Sequence, residues 1–178
     1  MIKIKKIARL SFFLAIMSLQ VLPSSVFADD AESQRALDIL TINNLMARYM
    51  WAYDTRDVEV YGTLFTEDAV VDSNGTLFAG IEEIRQIVVN LDQALQAAEK
   101  SGAPVWPYHI LSNSEIISIN DEEAYHRAYW TVPVYDAEGK ISVGVMGTYE
   151  DRLVRQENGE WLIASRKIGA LGPPLPQR

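Results

Sequence analysis

The stretch GTYEDRLVRQENGEWLIASRKI, residues 147–168, decides the fold class. It holds the end of one strand, read over Lys140 to Gln156, and all of another, read over Glu160 to Ile168, on either side of Glu157-Asn158-Gly159. A turn this short between strands this long permits only antiparallel neighbours. The same pattern repeats upstream: His109 to Ile119 and Glu123 to Tyr135 read as strands, with Asn120-Asp121 and Asp136-Ala137-Glu138-Gly139 as the connections. Four such strands make an antiparallel meander. In the second of them Ala124, Ala128, Trp130, Val132 and Val134 alternate onto one face together with His126, which predicts that this face is covered.

The cover lies earlier in the chain. From Ala31 to Asp54 the apolar residues Ile42, Leu45, Met46, Tyr49 and Tyr53 recur at spacings of three and four, the period of a long amphipathic helix. Asp57 is placed to cap a short second helix carrying Val60, Leu64 and Phe65. Ala69 to Ala79, centred on Ser73-Asn74-Gly75, reads as a small hairpin. A third helix follows Gly80 with Ile81, Ile84, Val88, Leu91 and Leu95 on one face, acids in its first turn and Lys100 in its last. Helices first and a curved sheet after them predict an α+β fold: a cone-shaped, antiparallel-rich sheet wrapped around N-terminal helices, with one internal pocket. The expected organisation is a single domain over 29–168 and a flexible C-terminal tail over 169–178, where three prolines and two glycines fall.

Residues 1–28 read as a cleavable secretory signal. Lys3, Lys5, Lys6 and Arg9 precede an apolar run from Leu10 to Leu22, and Val26 and Ala28 stand at the small-residue positions before Asp29. The expected location is therefore periplasmic or secreted, with no membrane association after cleavage, since the apolar run is shorter than the roughly 20 residues that span a bilayer. Loss of those four basic residues from the chain's 16 would leave 12 against 24 acidic ones, a surface that repels nucleic acid. There is no cysteine, which excludes disulfides, thiolate catalysis and cysteine zinc sites. His109 and His126 are the only histidines and no acid stands at metal-ligand spacing from them, so no metal and no cofactor is expected.

The segments ARYMWAYDTRDVEVYGTLFTEDAVVD (47–72), PYHILSNSEI (107–116) and residues 147–168 together resemble the SnoaL-like branch of the nuclear transport factor 2-like superfamily. Within that branch the pattern is most similar to scytalone dehydratase, bile-acid 7-alpha-dehydratase and lindane dehydrochlorinase, cofactor-free enzymes that eliminate a leaving group. The resemblance implies an aspartate at the end of the first long helix, here Asp54, and a histidine at the start of a central strand, here His109. It places Tyr49 and Tyr53 at tyrosine positions of these enzymes, and Arg152 at a functional arginine of the dehydrochlorinase. Two departures accompany it. A second polar residue late in the second long strand is replaced by Val132 or Val134, and an arginine near the end of the last strand would fall close to Ala170.

The chemistry fits those residue types. Histidine is the side chain whose unperturbed pKa lies nearest neutral pH, as a base for proton abstraction from carbon requires. A carboxylate on its other ring nitrogen fixes the tautomer and stabilises the imidazolium. Asp54, at the negative end of a helix dipole, gains from such a cationic partner. Tyr49 or Tyr53 would donate to a substrate oxygen. Tyr53, Phe65, Trp130 and Val132 are the expected lining for a small apolar substrate. The leading expectation is thus a cofactor-independent lyase acting on a small, largely apolar cyclic or aromatic molecule. A non-catalytic hydrophobic ligand-binding module and a ketosteroid-isomerase-like proton shuttle stand as alternatives, and a homodimer or homotrimer is the expected assembly.

Overall fold

The computed structural model describes residues 25–101, 108–135 and 139–170, with side chains from residue 30 onward. Three helices, α1 (Ser25–Thr55), α2 (Val58–Gly62) and α3 (Ile81–Lys100), accompany six strands. These are β1 (Phe65–Ser73), β2 (Thr76–Ala79), β3 (Ile110–Ile119), β4 (Glu123–Tyr135), β5 (Ile141–Arg155) and β6 (Trp161–Ala170). They form one sheet in the order β2-β1-β6-β5-β4-β3. The α+β fold with N-terminal helices over an open curved sheet is therefore the observed one. Among the described residues no helix is long and apolar enough to cross a membrane. All but the last four residues of the expected leader lie outside the described residues, as do Asp136-Ala137-Glu138 and residues 171–178.

The meander β3 to β6 is antiparallel throughout. The hairpin is also present, its Asn74 and Gly75 both at positive φ (52° and 90°), as a tight two-residue turn requires. Two features differ from the sequence reading. Phe65 opens β1 instead of ending the second helix, and β1 lies parallel to β6. Nothing local encodes a parallel pair between residues so far apart in the chain; it forms because the helical face of both strands is apolar and buried. The last strand also runs on through Gly169 and Ala170, which pair with Thr148 and Gly147. Small residues are needed there: a Cβ on Gly147 would lie 2.1 Å from the Gly169 carbonyl and 2.5 Å from the Trp130 ring.

The curvature comes from register shifts in four of the five strand pairings, including two in β3–β4 and one between Arg152 and Leu153 in β5–β6. An extra residue on one strand bends it and increases its twist. The curved inner face receives α1, whose Ile42, Leu45, Met46 and Tyr49 pack against β4, β5 and β6 residues such as Leu153 and Ile163. Asp38, on the same buried stripe, ties this helix to the sheet through Arg155 and through Trp161 Nε1, 3.3 Å away.

Candidate functional site

α1 ends sharply. Arg56 takes a positive φ of 60°, and the Asp57 amide donates back to the Ala52 carbonyl at 2.8 Å, closing the last turn. Asp57 then caps α2 by accepting from the Val60 amide at 3.0 Å. Because Asp57 serves as the cap, Asp54 is free for another partner, and the turn aims it at the start of β3. Its Oδ2 accepts from the His109 backbone amide at 2.9 Å and its Oδ1 lies 2.6 Å from His109 Nδ1. A carboxylate only accepts, so Nδ1 carries a proton and, in the neutral imidazole, Nε2 is the nitrogen with the lone pair. Among the described residues Nε2 has no hydrogen-bond partner. The side chains of His109 and Asp54 are 12 % and 9 % exposed, a pair close to the surface and not in the deep core.

The walls around this pair are aromatic. Tyr53, one residue before Asp54, meets the imidazole edge-on at 5.1 Å, and Trp130 lies against it at 5.7 Å. Behind them, Tyr49 stacks on Tyr53 and Tyr149 on Trp130, and Tyr61 and Phe65 pack beneath Tyr49. Burial, with Tyr49 and the Asp54 charge adding to it, pushes the Tyr53 phenol well above its ordinary pKa, so it stays protonated as a donor beside the pair. Burial likewise raises Tyr61 and Tyr149. Tyr49 is sealed: its hydroxyl meets that of Tyr61 at 3.3 Å and its ring covers the Arg166 guanidinium at 3.7 Å.

Below this floor runs a second histidine–aspartate pair. Ile116, His126, Asp151 and Arg166 are register partners across β3, β4, β5 and β6. His126 Nδ1 lies 2.8 Å from Asp151 Oδ2, and Arg166 donates to both Asp151 oxygens, at 2.6 and 2.8 Å. The side chains of all three are fully buried. Burial alone would raise the Asp151 pKa; the Arg166 charge and the hydrogen bonds from Arg166 and His126 outweigh it and hold the carboxyl below its usual value. Arg166 Nη1 has no hydrogen-bond acceptor, and the guanidinium instead faces the Tyr49 and Tyr149 rings.

Of the site residues expected from the sequence, Asp54, His109, Tyr53 and Trp130 meet at one place. Tyr49 lies one layer deeper, and Phe65 deeper still against Tyr61. Val132 is buried on the same β4 face as Trp130. Arg152 does not belong to this site: it faces the outer side of the sheet opposite Tyr125 and pairs with Glu123, because alternation along β5 puts Asp151 and Leu153 inward instead. His109 precedes an edge strand, since β3 ends the sheet and is not central to it. Arg166 and Asp151 were not anticipated. Strict alternation from Trp161 and Ile163 sends Ser165 inward and Arg166 outward, and the irregularity at Ala164 reverses that.

A cleft of about 440 Å³ opens on the sheet face among Val70, Tyr125, Arg152 and Lys167, away from Asp54 and His109. Among the described residues no group of three or more His, Asp or Glu side chains is arranged to hold a metal ion.

The model of the SnoaL-like domain family matches residues 34–167. Among curated proteins none matches. Several solved structures are similar. An NTF2-like protein with a cystatin-like fold from Novosphingobium aromaticivorans superposes with a TM-score of 0.69 at 20% identity, over 86% of this chain and 94% of the other. A protein of the same organism named after an aromatic ring hydroxylase gives 0.60 at 28% identity, over 78% and 92%. Another, named after scytalone dehydratase, gives 0.60 at 20% identity, over 79% and 89%.

Proposed function

Because the chain belongs to the SnoaL-like domain family and presents a histidine base whose tautomer a carboxylate fixes, we propose that it is a cofactor-independent lyase. The substrate is a small, largely apolar cyclic or aromatic compound with a hydroxyl or similar leaving group. The observation that carries this reading is the double engagement of Asp54, whose two oxygens hold the backbone amide and Nδ1 of the same residue. That grip fixes both the position of His109 and the nitrogen that faces away, the preorganisation a general base needs.

In the reaction, His109 Nε2 takes a proton from a ring carbon. The C–H electrons become the new double bond, and the bond to the leaving group on the neighbouring carbon breaks toward that group. Asp54 stabilises the imidazolium formed, which then returns the proton to the departing group or to water. Tyr53, held protonated, donates to the leaving oxygen, and Trp130 gives the ring an apolar wall. A proton-shuttling isomerase uses the same geometry without loss of a group. The aromatic-ring name of the 28%-identical neighbour supports the substrate class.

The leader-like first 28 residues support export to the periplasm or beyond. The outer sheet face, with Tyr125, Tyr129 and Ile117 exposed, supports pairing into a homodimer or homotrimer. The aromatic walls of Tyr53 and Trp130 around His109 would hold an apolar ligand equally well without chemistry, which favours a second reading, a non-catalytic hydrophobic ligand-binding module.

The test is metabolite profiling of native extract incubated with the chain lacking residues 1–28, wild type beside His109→Ala. A compound that disappears only with wild type, giving a product lighter by a small leaving group, is the expected result. Equal behaviour of the two proteins, with one compound co-purifying with both, overturns the lyase in favour of the binding module.

A further inference from the structure

We propose that Ser114, His126 and Asp151 form a second chemical site, at which the Ser114 hydroxyl attacks small uncharged carboxylic esters. Ser114 Oγ lies 2.9 Å from His126 Nε2, and His126 Nδ1 lies 2.8 Å from Asp151 Oδ2. The carboxylate accepts from Nδ1–H, so Nε2 is the accepting nitrogen and the serine hydroxyl is its donor. This is the tautomer and the order of groups that activates a serine. Burial is graded in the same direction: the Asp151 and His126 side chains are sealed, and Ser114 is exposed on an edge strand whose outer side has no neighbouring strand.

The local backbone places the serine. A register shift between Ser112 and Glu115 interrupts the β3–β4 ladder, and Asn113 takes a positive φ of 50°. Strain of this kind in a non-glycine residue persists where the surroundings over-determine it, and such residues cluster at functional sites. The turn brings Ser114 against α1, where the exposed Asn43 side-chain oxygen lies 3.5 Å from its Oγ, a second and longer acceptor for the hydroxyl beside His126 Nε2. A buried histidine needs a partner for Nε2, and a serine that only satisfied it would do so equally well from inside the core. Here the partner reaches solvent.

In the reaction the Ser114 Oγ–carbonyl carbon bond forms while the hydroxyl proton passes to His126 Nε2. The tetrahedral intermediate collapses, the alkoxide leaves and takes that proton, and Ser114 is left as an ester. Water, deprotonated by His126, then releases the acid and restores the hydroxyl. Arg166 shares Asp151 and reduces the charge available to stabilise the imidazolium, so the activity is slow and favours activated esters. The acidic chain disfavours anionic ones. The site is separate from Asp54–His109: Asn43 and Asp54 are 11 residues apart on α1, about 16 Å at 1.5 Å per residue.

The probes are p-nitrophenyl acetate and a fluorophosphonate, with the adduct located by peptide mass mapping. Wild type is expected to carry the label on Ser114 and to release p-nitrophenol in a burst. Ser114→Ala, at an exposed position and checked for folding by circular dichroism, is expected to lose at least about tenfold of the burst rate. His126→Gln disturbs the buried network, so the base is read instead from the solvent deuterium isotope effect on the wild-type burst, which is expected to be roughly twofold when a proton moves with the attack. Absence of label on Ser114, or a Ser114→Ala burst equal to that of wild type, overturns the nucleophile. A burst equally fast in heavy water overturns His126 as its base.

Discussion

Two histidine–aspartate pairs, one joining the end of α1 to the start of β3 and one spanning β4 and β5, differ in everything except their first hydrogen bond. In the first, Asp54 serves His109 alone, both groups keep some exposure, and Nε2 is open. In the second, Asp151 is divided between His126 and Arg166, both pair members are sealed, and Nε2 is occupied by Ser114. The first carboxylate sits at a helix end where its charge needs a cation and finds an imidazole; the second sits in the sheet interior, where only a full guanidinium offsets its desolvation. The same residue types therefore serve reactivity in one place and, chiefly, cohesion in the other. The lesson is that an imidazole's task is set by what its second nitrogen touches and by who else holds its acid.

The comparison breaks most visibly if the acids are exchanged in importance. Asp151→Ala leaves Arg166 as an unpaired buried cation, and should cost about 3–5 kcal/mol and lower Tm by on the order of 10 °C, read by calorimetry or urea denaturation. A loss no greater than that of Asp54→Ala would erase the distinction between the pairs. His109→Ala should instead leave Tm nearly unchanged while reducing turnover of the profiled substrate by roughly 10²–10⁴-fold. Asp54→Asn keeps a backbone acceptor but releases the tautomer, and a fall of roughly 10²-fold in kcat with little change in KM is expected. An unchanged kcat would make Asp54 a mere anchor for the β3 backbone.

Solution pH probes the sealed region. Asp151 and Asp38 are held below their ordinary values; for both, burial raises the pKa and the arginine partner overcomes it. A carboxyl depressed in the fold contributes stability that is present above its unfolded pKa of about 4 and lost as pH falls through the folded value. The urea midpoint should therefore fall below pH 4. Tyr53, Tyr61 and Tyr149 are raised by burial, so their contribution is complete below the unfolded phenol value of about 10 and is lost as pH rises beyond it. A midpoint flat from pH 9 to 12 would mean these phenols are solvated. The smallest effect is expected of Arg155→Ala, which leaves Asp38 with Trp161 and Gln34: about 1 kcal/mol, or 2–4 °C in Tm.

The sequence alone determined the elements and one of the two pairs. Apolar spacing of three and four marks α1, alternation marks β4 and β5, and Asn-Gly and Asn-Asp turns mark the hairpins, because these signals act within a few residues of the chain. Asp54 and His109 were legible through their family pattern, 55 residues apart though they are. Tertiary structure alone decided the rest. The parallel contact of β1 with β6 has no local code, and Arg152 turned outward while Arg166 turned inward at an irregularity of one residue. With side chains alternating at a period of two, a single extra residue reverses every face that follows. Which cation was sealed beneath the rings depended on that reversal and not on residue type.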